Sequence, residues 1–256
     1  MVSSYLTRED VMADATVVVT ADAMARDTRK VTSVTATKRD TSATVMKRDM
    51  SATAMRKVMS TADTRKVTSA TAIRTKVKTS VVILNWNTTG YLEKFVPGIL
   101  KSLEGMDAEL VVADNASTDG SMQMMESKFP DVKRIILDKN YGFTGGYNKA
   151  LAQLDSEYFV LLNSDIEVPE GWLQPLVETL DNNPEVGACA PKLHSWYERN
   201  KFEYAGAAGG YIDCFGFPLC RGRIMQMLET DEGQYDTPAD VFWATGACLM
   251  IRRSLY

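Results

Sequence analysis

Histidine is nearly absent from this chain. His194 stands alone among 256 residues, so neither a histidine-built metal site nor a Ser-His-Asp triad can carry the function. Cysteine is scarce as well. Cys189, Cys214, Cys220 and Cys248 show no CxxC spacing, and they read as free or buried thiols in a reducing compartment. No apolar run approaches the roughly 18 residues that cross a bilayer as a helix. The amino terminus lacks the charged-then-apolar layout of a secretory signal. The default expectation is therefore the cytoplasm.

Aromatic residues are missing from the front. Apart from Tyr5 none occurs before Trp86. The same region repeats: TRKVTSVTA (28–36), TKRDTSATV (37–45), MKRDMSATA (46–54), MRKVMSTAD (55–63) and TRKVTSATA (64–72) are nine-residue units, each with two adjacent basic residues at positions two and three. Such units bury little surface against their chain entropy. Residues 1–78 are expected to be a low-complexity, unstructured segment. Its basic pairs suit anionic surfaces, but nucleic acid is not expected as a partner. Charge divides at the same point. Up to Lys78 there are 15 Lys+Arg against 8 Asp+Glu, and from Thr79 there are 14 against 25, or +7 and −11. The globular domain is expected at 79–256.

Within that domain, the stretch YFVLLNSDIEV (158–168) opens as a buried strand and runs into Asn163-Ser164-Asp165. TSVVILN (79–85) is a second β-branched run that ends in Asn85-Trp86-Asn87. ELVVA (109–113) is a third, and runs into Asp114-Asn115-Ala116-Ser117-Thr118-Asp119. Helical spacing follows the second run, and Ser117 or Asp119 offers a helix N-cap after the third. Further strands are expected at 132–137 and 186–190, and a helix at 171–180. Strand and helix alternate, so the expected architecture is α/β, an open, mostly parallel sheet flanked by helices. The polar clusters at Asn85, Asp114 and Asp165 then share the carboxyl edge, where such sheets bind ligands. Oxygen ligands there suit Mg²⁺ or Mn²⁺.

NYGFTGGYNKAL (140–151) carries Gly142, Gly145 and Gly146. It reads as a loop that lets backbone approach phosphate at a helix N-terminus. It is neither GxGxxG nor a P-loop, so neither a dinucleotide fold nor an ATPase follows. A nucleoside diphosphate with its cation fits these groups together.

VVILNWN, VVADNASTDGS, NYGFTGGYNKAL and LLNSDIEVPEGWL, in that order, resemble the nucleotide-binding half of family 2 glycosyltransferases with the GT-A fold, nearest the rhamnosyltransferase-like branch. The resemblance covers about 79–256. It implies an inverting, metal-dependent hexosyltransferase in cell-surface polysaccharide synthesis, with a UDP- or dTDP-linked sugar as donor and a glycan or lipid-linked acceptor. Peripheral association with the inner face of the membrane accords with such an acceptor. The resemblance places Asn85 and Asn87 beside the nucleoside, Asp114 and Asn115 at the base, and Asn140 and Gly142 to Asn148 beside the nucleotide. Asn163-Ser164-Asp165 matches the DXD motif with Asn replacing the first Asp. Asp165 is then the metal-binding carboxylate. FWATGACLMIRR (242–253) resembles the acceptor-side strand, where Trp243 would stack on a sugar, or else sit in the core, and Gly246 would leave room.

The family's base takes the acceptor proton, a step worth roughly 10²–10⁴ in rate. It belongs to an acidic motif that the resemblance places after Tyr256. Donor binding with little transfer is therefore the expectation for this chain, and no catalytic base is assigned. Asp231, Glu232, Asp236 and Asp240 are read instead as solvated loop charge. Two alternatives stand beside this reading: an inactive fragment or binding protein, and a sugar-phosphate nucleotidyltransferase. The second would want a glycine-rich basic loop after the first strand, where LNWNTTGYLEK has one glycine.

Overall fold

The computed structural model describes residues 4–5, 16–20 and 76–256. The repeat units of 28–72 lie outside the described residues, and so does most of the segment read as unstructured. Within that segment β1 (Ser4–Tyr5) and β2 (Thr16–Thr20) are strands. Every residue of β2, TVVVT, is β-branched, which suits a pleated backbone.

The domain follows as β3 (Thr79–Asn85), α1 (Thr89–Ser102), β4 (Ala108–Asp114), α2 (Ser121–Lys128), β5 (Lys133–Ile136) and α3 (Gly142–Leu151). Then come β6 (Tyr158–Leu162), β7 (Ile166–Glu167), α4 (Leu173–Asn182), β8 (Val186–Pro191) and β9 (His194–Ser195). Short strands complete the chain: β10 (Gly210–Ile212), β11 (Pro218–Cys220), β12 (Arg223–Ile224), β13 (Met227–Leu228), β14 (Ala239–Asp240) and the longer β15 (Cys248–Arg252). The main sheet is ordered β14-β2-β8-β15-β6-β3-β4-β5. Its half from β6 to β5 is parallel. β15 runs antiparallel to both β6 and β8. The expected open, mostly parallel α/β sheet is present.

Strand alternation explains the two core layers. Val81 and Ile83 of β3 point to one face, with Val160, Leu162, Phe95, Ile99, Trp172 and Leu176. Val82 points to the other, with Val111, Phe159, Leu161, Tyr147 and Leu151. α1, α2 and α4 cover the first face, and α3 covers the second. Arg252 fastens the far end of β15 by donating from Nε to the Val186 carbonyl at 2.7 Å and from Nη2 to Asn183 at 3.0 Å. The four cysteines are free, and burial pushes the Cys189 thiol up to about 12.

Candidate active site

Register brings the polar clusters together. Asn85 pairs with Asp114 between β3 and β4, and Ile83 with Leu162 between β3 and β6. These strand ends therefore stand side by side, about 4.8 Å apart per strand. Asn163 then donates its backbone N–H to the Ala247 carbonyl at 2.8 Å. Because β15 is antiparallel, its leading residues Thr245, Gly246 and Ala247 reach the same edge.

Asn85 is fully buried and ties this edge together. Its Nδ2 lies 2.8 Å from Asp114 Oδ1, 2.9 Å from Ser117 Oγ and 2.8 Å from Ser121 Oγ. Its Oδ1 accepts from the Thr88 hydroxyl at 2.6 Å, and its carbonyl accepts from Asn115 N–H at 2.8 Å. The side chain is thus occupied within the fold, and orients Asp114. Asn87 adopts a left-handed backbone with φ 56° and accepts from Thr118 N–H at 2.7 Å. Asn85→Ala should cost about 1–3 kcal/mol by stranding buried partners. A urea titration would register it as a lowered midpoint with an unchanged slope.

The helix cap differs from expectation. α2 starts at Ser121 with Gly120 before it at φ 80°. Asp119 still acts one residue out, because its Oδ1 accepts Ser121 N–H at 3.0 Å and its Oδ2 accepts Thr89 N–H at 2.9 Å. Desolvation would raise its carboxyl pKa, but the hydrogen bonds from Thr89 and Ser121 outweigh it and hold the group at about 2. The folded value lies below the ordinary 3.8, so the stabilisation is complete above about pH 4 and is lost as pH falls through about 2. Asp119→Asn should therefore flatten the acid limb of a stability-versus-pH curve over that window and leave its neutral limb parallel to wild type.

The glycine run is not a loop. Gly142, Gly145 and Gly146 lie inside α3, whose face of Tyr147, Ala150 and Leu151 is buried on the sheet. Gly142 opens the helix at φ 69°. At Gly146 a Cβ would stand 2.7 Å from Leu84 Cδ2, so this glycine lets α3 close onto β3. Asn115, 3% exposed, joins helix and sheet. It donates to Asn140 Oδ1 at 3.0 Å and to the Gly142 carbonyl at 3.1 Å, and accepts from Tyr141 N–H at 2.9 Å. Gly142 N–H donates to Asn140 Oδ1 at 2.7 Å, and the N-terminal end of α3 thus faces the carboxyl edge with its positive dipole end. Asn148 does not share that position. It lies further along the helix on the solvent side, and Tyr256 donates its hydroxyl to it.

Asn163 and Asp165 are half-buried. Burial pushes the Asp165 carboxyl above its ordinary value, against an opposing hydrogen bond from its own backbone N–H. A cavity of about 360 Å³ beside Asn163 is lined by Phe143, Glu203, Tyr204, Thr245 and Gly246. Glu203 is only 4% exposed. Burial, with a further contribution from the Asp165 charge, pushes its carboxyl up, although Ala205 N–H donates to it at 2.6 Å. Among the described residues no three His, Cys, Asp or Glu side chains gather as a metal-holding group. A Mg²⁺ or Mn²⁺ held by one or two carboxylates plus phosphate oxygens and water needs none. The under-compensated carboxylate of Asp165, with Glu203 near enough to feel it, fits such a cation.

At Gly246 a Cβ would stand 3.2 Å from the Phe143 ring, a tight approach, so this glycine lets the segment before β15 close onto the first turn of α3. Trp243 is placed differently from a free stacking platform. Its ring packs on Gly206 and Gly210, and its Nε1 donates to the Tyr211 carbonyl at 3.1 Å. Residues 242–247 are irregular, and the strand begins only at Cys248. Asp231 and Asp236 are not simply solvated. Both pair with buried Lys192, at 2.6 and 2.5 Å, and Asp231 also bonds His194 Nε2 at 2.8 Å. Glu203 was not singled out by sequence reasoning, and its local pattern, an acid in a loop, holds no sign of its burial.

A larger cavity of about 830 Å³ opens at the opposite edge, beneath the strands' amino ends. Its lysines are committed: Lys128 to Glu93 and Lys133 to Glu109. Ligand sites of open sheets lie at the carboxyl edge, where the network above is built.

The sequence profile of Glycosyl transferase family 2 matches residues 80–256. An N-acetylglucosaminyl-diphospho-decaprenol L-rhamnosyltransferase of Mycobacterium tuberculosis is 24% identical over 191 residues, which cover 69% of this chain and 62% of that protein. An undecaprenyl-phosphate 4-deoxy-4-formamido-L-arabinose transferase of Proteus mirabilis is 30% identical over 130 residues, covering 48% of this chain and 40% of that protein. Among solved structures, the mannosyltransferase PcManGT of Pyrobaculum calidifontis, in complex with GDP-Man and Mn²⁺, aligns with TM-score 0.39 and 24% identity over 45% of this chain and 35% of that one. The chain thus spans less than two thirds of the rhamnosyltransferase's length.

Proposed function

The chain belongs to glycosyl transferase family 2, and from that premise we propose that its carboxyl edge binds a nucleotide-sugar, UDP- or dTDP-linked, for inverting transfer of the sugar to a glycan or lipid-linked acceptor. Residues 79–256 form the donor-binding domain in this reading. The observation that carries it is the half-buried carboxylate of Asp165 at the same sheet edge as the Asp114–Asn115 network.

Each residue then has a physical task. Asp114 Oδ1 and Oδ2 accept from Asn85 and from Ser117 N–H, and each oxygen keeps a lone pair for a base N–H. Asn115 holds the N-terminal end of α3 toward the phosphates. Asp165, with the Asn163 amide oxygen beside it, would hold Mg²⁺ or Mn²⁺. When bound, that cation neutralises charge developing on the departing diphosphate. Thr245, Gly246, Phe143 and Glu203 shape the cavity next to the anomeric carbon. There an acceptor hydroxyl, giving its proton to a base that this reading does not place among residues 79–256, forms the new bond to the anomeric carbon as the bond to the diphosphate oxygen breaks on the opposite side. The lipid-linked substrates for which these relatives are named support an acceptor of that class in cell-surface polysaccharide synthesis. No helix among the described residues is long and apolar enough to cross a membrane.

Calorimetric titration with UDP and with dTDP, each with and without Mn²⁺, tests the reading. Binding that requires the metal is expected, and Asp114→Ala should weaken it about tenfold through loss of the base contact. Absence of binding to any nucleoside diphosphate in the presence of metal would refute it.

A further inference from the structure

The segment from Tyr204 to Leu228 carries only three charged side chains, Asp213, Arg221 and Arg223. It belongs to a domain with 25 acidic and 14 basic residues from Thr79 onward. This charge-poor stretch folds as two successive hairpins, β10–β11 and β12–β13. Its large apolar side chains point outward. Phe215 is 83% exposed, Phe217 66%, Met225 85% and Met227 70%.

The exposure is not confined to one face. Tyr211 pairs across from Leu219 on one side of the first hairpin, and Ile212 pairs with Pro218 on the other. Tyr211, Leu219 and Ile212 are all exposed. A flat protein partner covers one side of a hairpin. Apolar groups on both sides and at the tip suit immersion in a fluid apolar medium. The charges agree with this. Asp213 is drawn into the turn, where it accepts N–H groups of Phe215 at 2.8 Å and Phe217 at 2.9 Å. Arg221 stacks on Tyr235 at 4.6 Å and Arg223 on Tyr204 at 4.2 Å, and Arg223 Nη1 also donates to the Met225 carbonyl at 3.0 Å, so both guanidiniums are held against the protein rather than projecting from the hairpins.

The hairpins are also firmly mounted beside the site. Gly210 donates its N–H to the Trp243 carbonyl at 3.0 Å, and a Cβ at Gly210 would fall 2.1 Å from the Leu219 carbonyl oxygen. Tyr204 lines the cavity shared by Asn163, Glu203 and Gly246.

We propose that the paired hairpins β10–β13 insert into the headgroup and upper acyl region of the membrane leaflet they face and so hold the cavity's mouth against the membrane surface. The functional meaning of that placement, access for a lipid-linked acceptor, rests on the glycosyltransferase reading. The insertion itself does not.

The test is flotation of the full chain with phosphatidylcholine vesicles containing about 30% phosphatidylglycerol. It is run at about 1 M NaCl, where the Debye length of about 3 Å suppresses attraction by the basic repeats. Wild type should float with the vesicles. The triple variant F215S/F217S/M225S should partition at least tenfold more weakly, with its melting temperature and nucleoside diphosphate binding unchanged. In a second measurement, F215W should gain tryptophan emission that brominated lipid quenches. Equal flotation of variant and wild type, no flotation of wild type, or unquenched F215W emission would overturn the proposal. So would self-association of the wild type that the triple variant abolishes without any lipid binding, which would assign the patch to a second copy of the chain. Nucleotide binding is read on the same samples. Its loss with flotation intact would remove the donor reading and leave the insertion standing.

Discussion

Asp165→Ala is expected to lower metal-dependent nucleoside diphosphate affinity at least about 100-fold. Perturbing mere supporting groups of a metal site costs 10–100-fold, and this substitution removes the carboxylate itself. The Asn163-Ser164-Asp165 motif already lacks its first acid, so no second carboxylate in the motif can compensate. The side chain is half-buried at the end of β6 and outside the core clusters, so the fold should survive. Asp165→Asn separates charge from shape. If charge is what matters, its affinity should fall nearly as far as that of Asp165→Ala, while metal-free binding stays at its wild-type level in both. Calorimetry with and without Mn²⁺ reads all of these, and a loss of less than about tenfold in both variants would count against Asp165 as the anchor.

The largest effect on stability is expected at Lys192. Its side chain is 3% exposed and meets Asp231, itself 11% exposed, at 2.6 Å. Lys192→Met leaves the Asp231 carboxylate buried without that partner. Breaking one side of a buried pair costs about 3–5 kcal/mol, whereas replacing both sides with apolar groups is often close to neutral. Lys192→Met should therefore unfold at much lower urea, and Lys192→Met/Asp231→Leu should regain part of the loss, the rest being the hydrogen bonds Asp231 also makes with His194 Nε2 and Gly233 N–H. Asp236, whose side chain is 42% exposed, should matter much less. If the single and double variants were equally destabilised, desolvated charge would not be the cause. The pairing also joins the 231–236 loop to the chain just after β8, which leads on to Glu203.

What was legible in the sequence is the sheet and its edge. TSVVILN, ELVVA and YFVLL are β-branched or aromatic runs, each stopped by an amide or carboxylate. Strand composition and the edge rule together place Asn85, Asp114 and Asp165 correctly. NYGFTGGYNKAL was harder, because three glycines suggest a loop. Tertiary packing decides otherwise: Tyr147, Ala150 and Leu151 need a buried face, and Gly146 lets the helix reach Leu84. Helical rotation then turns Asn148 away from the edge that Asn140 and Gly142 share. Asp231 looked solvated because its partner is 39 positions earlier in the chain. Glu203 looked ordinary for the same reason: its burial comes from loops that close only in three dimensions. Trp243 illustrates a further limit. An aromatic near a sugar site suggests stacking, but the nearby Gly206 and Gly210 take up its ring.

The most direct measurement is a crystal structure of the chain with UDP or dTDP and Mn²⁺, read through the anomalous signal of manganese. The account places one manganese peak at the Asp165 carboxylate, with the nucleotide at the same sheet edge and its base against Asp114. A manganese peak away from Asp165, or a nucleotide bound at the opposite edge beneath the strands' amino ends, would contradict it.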